Sequence, residues 1–400
     1  MVLILQSKVA IIGSRGIPAK YGGFETFVEE VSTRLVDQGH DIYVSCEGGD
    51  ALKMPDYKGV KLFYFPLKPF YRVFYETIYD VYSMIKSCTM CDSIYILGYG
   101  AGFFFFIPKI FGKRLIINVD GIEWRRNKYN RLEKMILYWS EIFAVAFADV
   151  VVADARAIKK YIELTHKKDV LFIPYGAVPP QKESWEISKF DEISRGELLK
   201  NISPNDYYLV VARLEPENSI YEIIKGYISS GTDKKLVIVG NFLNQRYKKK
   251  INDIIQAHNA EDRVIFTGGI YKNGLLNMLR QNCYIYIHGH SAGGTNPSLL
   301  EAMVMENIII AHDNEFNREV GGLSILYFKD SKELADKLAI MENKIDAYAE
   351  LKKIASTRVK DEYSWENIAM RYNELFTNNP LGRKNVSLSK SHRHHIELER

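Results

Sequence analysis

A glycine-rich turn between a predicted strand and a predicted helix carries the residues best suited to chemistry in this sequence. The stretch His288–Met303 follows the strand-like run Cys283–Ile287. Gly293 and Gly294 permit a tight or left-handed backbone, and Asn296 is a good N-cap. The helix N-terminus then points back at the loop, where free N–H groups and a partial positive charge favour a phosphate.

The helix after this turn supplies the remaining groups of the candidate site. Pro297 suits the first helical position, and Ser298 continues the first turn. Glu301 lies about one turn further along, where its carboxylate can face the same cavity. Anion-binding donors beside one carboxylate fit a nucleotide diphosphate and its ribose hydroxyls. An ordinary strand-to-helix crossover would give the same pattern, so both interpretations stay open.

A second glycine-rich loop lies near the N-terminus. The apolar run Val9–Ile12 predicts a buried parallel strand, and a polar loop then leads to Gly22 and Gly23, just before a helical pattern over 24–35. The two glycines allow a ligand to approach the backbone closely. The spacing in Gly13-Ser-Arg-Gly16 does not match Gly-x-Gly-x-x-Gly, which argues against a dinucleotide cofactor.

Two charged residues follow predicted strands in the two halves of the chain. Asp120 follows the strand 114–119, at the edge where open α/β sheets bind ligands; a helix cap or turn role is the alternative. Arg213 follows the strand 207–211, and its guanidinium fork suits a diphosphate. Such groups would stabilise the charge on a departing nucleoside diphosphate during glycosyl transfer. A cleft between domains would exclude the water that hydrolyses the donor.

Two series of alternating strand and helix patterns position these groups. They predict an α/β protein with two Rossmann-like, doubly wound domains that face each other across a cleft. We expect an acceptor-side domain at 1–178 and a nucleotide-sugar domain at 179–362. A C-terminal helix at 363–377 is expected to pack back on the first domain, and a polar tail at 378–400 is expected to be disordered.

The composition limits which cellular compartments and which binding partners fit this protein. The net charge of +4 is too small to imply nucleic acid by itself. Four cysteines in 400 residues do not make a disulfide framework, which favours a reducing, cytoplasmic compartment. The sequence contains no Asp-x-Asp, so a carboxylate-pair metal site of that kind is absent. Neither a metal nor another cofactor is expected.

Two stretches bear on contact with a membrane. Residues 93–111 are the most apolar, but glycines and Pro108 interrupt them, so we expect a buried strand and the start of a helix rather than a span. The predicted helix 69–86 carries a tyrosine stripe with cations nearby. This stripe either touches lipid headgroups or packs on the sheet with its hydroxyls reaching water. Its residues are Tyr71, Tyr75, Tyr79 and Tyr82, beside Lys68 and Arg72.

Four segments together resemble a known family. Ile17–Thr26, Asn118–Trp124, Ala212–Asn218 and Gly294–Ala302 look like family-4 retaining glycosyltransferases of the GT-B fold. More narrowly, they resemble the bacterial rhamnosyltransferases that build capsular and cell-wall polysaccharides. The resemblance extends from about residue 8 to residue 376, and the combination of motifs is specific although each motif alone is not.

The resemblance implies a role for each matching residue. Glu301 would hold the nucleotide ribose, and Gly22 and Gly23 would form the N-terminal diphosphate loop. Arg213 would meet the donor diphosphate, and Asp120 would lie beside the transferred sugar and the acceptor. The implied donor is a dTDP- or UDP-sugar, and dTDP-L-rhamnose for the narrower group. The implied acceptor is a sugar on a polyprenyl diphosphate lipid, so the enzyme would be peripheral on the inner face of the cell membrane.

One departure from the family pattern concerns the sugar. The family's first glutamate should stand eight residues before Glu301, but that position is Gly293. His290 or Ser291 is expected to contact the sugar instead. Asp120 and His290 are therefore the two residues that we expect to act at the reacting sugar.

A second departure concerns the diphosphate. The family lysine five residues after Arg213 is Asn218 in this chain. An amide carries no charge, so the clamp on the diphosphate is weaker on this side. More of the binding would fall on the helix N-terminus at 296–298.

Three other functions compete with this interpretation. A glucosyl, galactosyl or other hexosyl transferase using a UDP- or GDP-sugar would share the same motifs. Tyr221 and Lys225 have the Tyr-x-x-x-Lys spacing of nicotinamide oxidoreductases and sugar epimerases, but no dinucleotide loop precedes them. A nucleotide-sugar-binding protein without catalytic activity would also explain the loss of the glutamate at Gly293.

Overall fold

The computed structural model describes residues 7–19, 22–48, 53–67, 72–126, 129–179, 185, 202–270 and 273–377. The tail at 378–400, for which the sequence predicts disorder, lies outside the described residues. Most of residues 181–204 also lie outside them, as do Lys20 and Tyr21 of the N-terminal glycine-rich loop and Lys68 and Tyr71 beside the tyrosine stripe.

The first domain is built on a largely parallel sheet. Its strands are β1 Lys8–Ile12, β2 Asp41–Cys46, β3 Asp56–Tyr57, β4 Val60–Tyr64, β5 Ser93–Leu97, β6 Arg114–Val119, β7 Val150–Ala153 and β8 Val170–Phe172. In the described part of the chain these strands pair in the order β3-β4-β2-β1-β5-β6-β7-β8, and β3 is antiparallel to β4. All five residues of β5 are buried, because helices cover both faces of the sheet.

Amphipathic helices cover this sheet. They are α1 Gly23–Asp37, α2 Arg72–Met90, α3 Ile107–Ile110, α4 Arg131–Phe147 and α5 Arg156–His166, with short 3-10 helices at Gly102–Phe104 and Glu123–Arg125. In α1, the apolar residues at helical spacing, Phe27, Val31 and Leu35, are buried in one core. A capping box between Asn130 and Glu133 begins α4.

The second domain repeats this architecture with a smaller sheet. Its strands are β9 Tyr207–Val211, β10 Lys235–Val239, β11 Val264–Gly268, β12 Ile285–His288, β13 Ile309–His312 and β14 Leu326–Phe328. Among the described residues they pair in the order β11-β10-β9-β12-β13-β14, all in parallel. The helices are α6 Ile220–Ser230, α7 Gln245–Ala257, α8 Asn273–Gln281, α9 Pro297–Val304, α10 Glu315–Gly321, α11 Ser331–Glu342 and α12 Ala349–Glu362.

The predicted fold class is confirmed. Each domain has a central strand, β1 or β9, flanked by crossovers on both sides, as in doubly wound folds. The short strands β3 and β14 were not predicted, because runs of two and three residues are too short to show a period.

The last helix, α13 Trp365–Thr377, packs on the first domain rather than the second. Its Tyr372 hydroxyl lies 2.8 Å from the hydroxyl of Tyr95 on β5, and its ring meets Phe27 on α1 at 5.4 Å. The chain therefore crosses between the domains twice. The two crossings touch, because the Ala177 N–H donates to the Tyr363 carbonyl at 2.9 Å.

The tyrosine stripe of α2 is packed rather than exposed where it is described. Tyr75 and Tyr79 are buried against Phe65. The Tyr79 hydroxyl donates to the Ser14 carbonyl at 2.7 Å, in the N-terminal glycine-rich loop. These contacts agree with the packed alternative and not with a lipid-facing stripe at these two residues. None of the described helices is both long enough and apolar enough to cross a membrane.

Candidate active site

Two helix N-termini from different domains meet in the cleft. Gly23 begins α1 and Pro297 begins α9. A Cβ added at Gly23 would lie 3.3 Å from the Pro297 Cγ. The Asn296 Oδ1 caps α9 by accepting the Ser298 N–H at 3.0 Å. Both helix dipoles thus direct positive potential at one place, which suits an anion.

The glycine-rich loop before α1 is tied down by carboxylates of that helix. Glu25 accepts the Arg15 N–H at 3.0 Å, and Glu29 accepts the Ala19 N–H at 2.7 Å. A Cβ at Gly22 would overlap a carboxylate oxygen of Glu25. The N–H groups of Arg15 and Ala19 are therefore already hydrogen-bonded. The N–H groups that can bind an anion on this side are those at the start of α1.

Asp120 lies at the carboxyl edge of the first sheet, as the sequence predicts. The register pairs Val119 of β6 with Ala153 of β7, so Asp120 and Asp154 leave neighbouring strands side by side. The Tyr175 hydroxyl donates to Asp120 at 3.2 Å. Burial and the nearby Glu123 carboxylate raise the pKa of Asp120. Asp120 therefore keeps its proton to a higher pH than a free aspartate.

Asp154 joins the two domains, a role that the sequence did not predict. It is fully buried, and its Oδ2 accepts the Thr295 N–H of the second domain at 2.9 Å. The Thr295 hydroxyl also donates to the Asp154 carbonyl. A Cβ at Gly294 would overlap both carboxylate oxygens, so a glycine is needed at this contact. The end of β7, next to Asp120, was the only sequence signal for this residue.

A second contact joins the domains at the start of α5. The Arg156 N–H donates to both carboxylate oxygens of Glu319 on α10, at 2.8 and 3.0 Å. A carboxylate at a helix N-terminus satisfies a free amide and interacts favourably with the helix dipole. With Asp154 and Thr295, this contact fixes how the two carboxyl edges face each other.

Arg126 reaches from the first domain to the position of the missing glutamate. A Cβ at Gly293 would lie 3.9 Å from an Arg126 terminal nitrogen. Arg126 is mostly buried and pairs with Glu123 at 3.0 Å. The residue facing Gly293 is thus a cation. The sequence predicts His290 or Ser291 as the substitute contact to the sugar and gives no signal for Arg126, which is distant in sequence and marked by no motif.

Ser291 is engaged elsewhere, whereas His290 faces the cleft cations. Both the N–H and the hydroxyl of Ser291 donate to the Glu217 carbonyl, at 2.9 and 2.7 Å. The His290 ring stacks on His288 with centroids 4.4 Å apart. Burial, followed by the positive charges of Arg213 and Arg126, lowers the pKa of His290 to about 3. The imidazole is therefore neutral at physiological pH.

Arg213 lies where the sequence places it, at the carboxyl edge of the second sheet. The register pairs Leu209 of β9 with Tyr286 of β12, so the segments carrying Arg213 and His290 leave adjacent strands. Arg213 is half-exposed, 3.6 Å from Glu217. Asn218 is buried and donates to the Arg213 carbonyl at 2.7 Å. Asn218 thus supports the backbone under Arg213 instead of supplying a charge.

Glu301 is held in place by an arginine that no sequence motif marks. Arg280, at the end of α8, is almost fully buried and lies 2.5 Å from the Glu301 carboxylate. Glu301 itself is about one-third exposed, so one oxygen can still face a ligand. A buried arginine paired with a partly exposed carboxylate keeps that carboxylate oriented.

Two family models match the sequence, one for each half. Residues 6–178 match a domain of unknown function (DUF1972), and residues 195–358 match the glycosyl transferases group 1. No curated protein matches the chain. Over residues 195–358 the second domain is therefore similar to the group 1 glycosyl transferases.

Solved structures share the fold over nearly the whole chain. Sucrose-phosphate synthase from Thermosynechococcus elongatus has a TM-score of 0.75 at 16% identity, covering 93% of this chain and 98% of that one. HepE of Anabaena with UDP-glucose has a TM-score of 0.72 at 17% identity, covering 92% of this chain and 99% of that one. Trehalose 6-phosphate synthase from Burkholderia multivorans has a TM-score of 0.68 at 10% identity, covering 92% of this chain and 95% of that one. At these identities the likeness shows the fold alone, and that fold is GT-B.

Proposed function

We propose that the protein is a retaining, metal-independent hexosyltransferase that uses a nucleotide sugar. The donor is dTDP-L-rhamnose, and the acceptor is a sugar on a polyprenyl diphosphate. The reaction serves capsular or cell-wall polysaccharide synthesis, with the enzyme in the cytoplasm and peripheral on the inner face of the membrane. The resemblance of four motifs to rhamnosyltransferases supports this choice of donor and acceptor.

The meeting of α1 and α9 at Gly23 and Pro297 carries the proposal. A donor diphosphate bound there would accept hydrogen bonds from both helix N-termini. Arg213 would contact the same diphosphate, and Glu301 would accept the ribose hydroxyls. The negative charge that develops on the leaving diphosphate would be stabilised by dipoles that are already oriented.

The reacting sugar would lie between the two carboxyl edges, next to Asp120 and His290. The neutral His290 can exchange hydrogen bonds with a sugar hydroxyl without adding a charge near the oxocarbenium ion. Asp120 would accept a hydrogen bond from a hydroxyl of the sugar or the acceptor. Arg126 would stand on the opposite side, where the family has its glutamate.

A UDP-hexose donor is the second candidate. A similar structure, that of HepE, contains UDP-glucose. The helix N-termini and Glu301 would bind either nucleotide, because diphosphate and ribose are common to both. The base and the sugar would decide between them.

A donor panel tests these proposals. Purified protein is given dTDP-L-rhamnose, UDP-glucose or UDP-galactose together with a synthetic polyprenyl diphosphate sugar, and products are followed by mass spectrometry. Glu301→Ala and Arg213→Ala should each reduce transfer by roughly 10- to 100-fold, whereas the exposed Arg246→Ala should not. Transfer from a UDP-hexose alone would overturn the rhamnose assignment, and full activity in both site variants would overturn the site.

A further inference from the structure

Helix α4 turns its larger apolar side chains towards solvent and buries two polar residues beside Ala144 and Val145. Ser140 and Glu141 are fully buried, whereas Met135, Ile136 and Trp139 are about half-exposed. A surface helix ordinarily buries its apolar face. The arrangement in α4 leaves an exposed apolar face, and burying this face against another surface lowers the free energy.

Buried hydrogen bonds fix α4 in this orientation. Glu141 accepts the Tyr161 hydroxyl at 2.8 Å and lies 2.8 Å from the His166 ring nitrogen. The Ser140 hydroxyl accepts the Gly102 N–H at 2.9 Å. Turning the helix over would break these contacts and leave the Tyr161 hydroxyl and the largely buried His166 ring without this partner, which is costly. The outward apolar face is therefore a stable property of the fold.

The neighbouring segment continues this apolar surface. The Phe103 ring lies 5.3 Å from that of Phe143 on α4, and the Phe106 ring lies 6.2 Å from that of Phe147. The surface defined here as the α3–α4 face consists of Phe103, Phe104, Phe106, Ile110 and Phe111 together with Leu132, Met135, Ile136, Trp139 and Phe143, all of them exposed. So large a contiguous apolar surface marks an interaction site.

The charges around the face are mostly positive. Within 102–111 the only charged residue is Lys109, and within 135–147 it is the buried Glu141. Cations border the face, and the nearest acids are engaged: Glu123 pairs with Arg126, Glu133 closes the capping box of α4, and Asp149 pairs with Lys109. The bordering cations are Lys113, Arg125, Arg131 and Lys134.

We infer that the α3–α4 face docks on a lipid bilayer with anionic headgroups. The inference rests on the proposed lipid-linked acceptor and names the surface that would bring the enzyme to it. Aromatic and aliphatic side chains enter the interfacial region, and bordering cations meet anionic lipids. A second copy of the chain fits less well, because a two-fold contact would bring these cations against one another.

The face is also connected to the candidate acceptor site. The 3-10 helix Glu123–Arg125 joins Asp120 to α4, and the Trp124 ring lies 5.4 Å from the Tyr138 ring. A bilayer against α4 would therefore lie beside the first-domain edge of the cleft. A headgroup-linked sugar would have a short path to Asp120.

Flotation with plain phospholipid vesicles tests the inference without donor or acceptor. The full chain should bind phosphatidylglycerol vesicles more tightly than phosphatidylcholine vesicles. Trp139→Glu should weaken binding by roughly tenfold or more, and neutralising Arg131 or Lys134 with glutamine should weaken binding to anionic vesicles by about fivefold each. Leu323→Glu, at a side chain 95% exposed on the second domain, is the matched control and should bind as the wild type does.

Three outcomes would overturn the inference: no vesicle binding by the wild type, wild-type binding by Trp139→Glu, or a solution dimer that Trp139→Glu dissociates. Circular dichroism of Trp139→Glu checks that the variant is folded. If vesicle binding behaves as expected while no donor is used, the proposed function fails and the docking surface remains. If transfer to a water-soluble acceptor proceeds but vesicle binding does not, only the docking surface fails.

Discussion

The contact between Gly294 and Asp154 should control how the two domains close. Gly294→Ala places a methyl group well inside the 3.0 Å that real Cβ contacts respect, against both oxygens of a fully buried carboxylate. Gly294 has no left-handed φ, so the effect would be steric rather than conformational. Such overpacking costs about 1–3 kcal/mol, which lowers the equilibrium constant for closure by roughly 5- to 150-fold. Nucleotide affinity, measured by calorimetry, should fall by up to the same factor.

Two further variants make this test specific. Gly100→Ala is the matched control, because a Cβ there meets nothing within 4 Å; it should bind nucleotide as the wild type does. Asp154→Ala removes the group with which the methyl collides, so the double variant with Gly294→Ala should bind no more weakly than Asp154→Ala alone. Wild-type affinity and an unchanged radius of gyration in Gly294→Ala would refute the reasoning.

Three other perturbations follow from the structure. Glu301→Gln should weaken UDP or dTDP binding by roughly 10- to 100-fold in calorimetry, because the carboxylate that accepts hydrogen bonds from the ribose hydroxyls is lost; wild-type affinity would contradict the assigned role. Burial and repulsion from Asp120 raise the pKa of Asp154, so its contribution to stability is complete below the unfolded pKa and is lost as pH rises through the folded one. Asp154→Asn should therefore flatten the decline of stability with rising pH in urea unfolding, and an unchanged slope would count against a raised pKa. Tyr372→Phe leaves the buried Tyr95 hydroxyl without its 2.8 Å partner, and should lower the free energy of unfolding by about 1–3 kcal/mol; a change near zero would show that the pair contributes little.

The fold could be predicted because its signals are local. The runs Val9–Ile12 and Tyr207–Val211 are apolar and short, and each becomes the central strand of a sheet. The pair Asn296 and Pro297 marks a helix start that the structure reproduces, with the asparagine side chain as the cap. Such patterns report on neighbours a few residues apart, so they do not depend on how the domains meet.

The site residues that the sequence did not predict are placed by contacts between residues far apart in the chain. Arg126 faces Gly293, and Asp154 binds Thr295, only because two domains come together in one orientation. The partner of Glu301, Arg280, comes from a preceding helix and carries no motif. A single sequence holds no record of these pairings, since neither residue type nor spacing links them.

The orientation of α4 was hidden for a related reason. The sequence predicts a helix over 129–148, and the structure has Arg131–Phe147. The inward side carries Glu141, whose partners Tyr161 and His166 lie on another helix. Hydrophobic periodicity alone does not choose between the two sides, because Ala144 and Val145 on the buried side are apolar as well.

The double crossing between the domains has a consequence for synthesis on the ribosome. The first family model ends at residue 178, but the core around Phe27 and Tyr95 is completed by α13, which begins at Trp365. A nascent chain that has produced only the first 178 residues would expose that aromatic surface until the second domain has been made. Contacts so distant in sequence form late. We therefore expect newly made first domains to need protection by a chaperone, or by their own C-terminus, before the cleft exists.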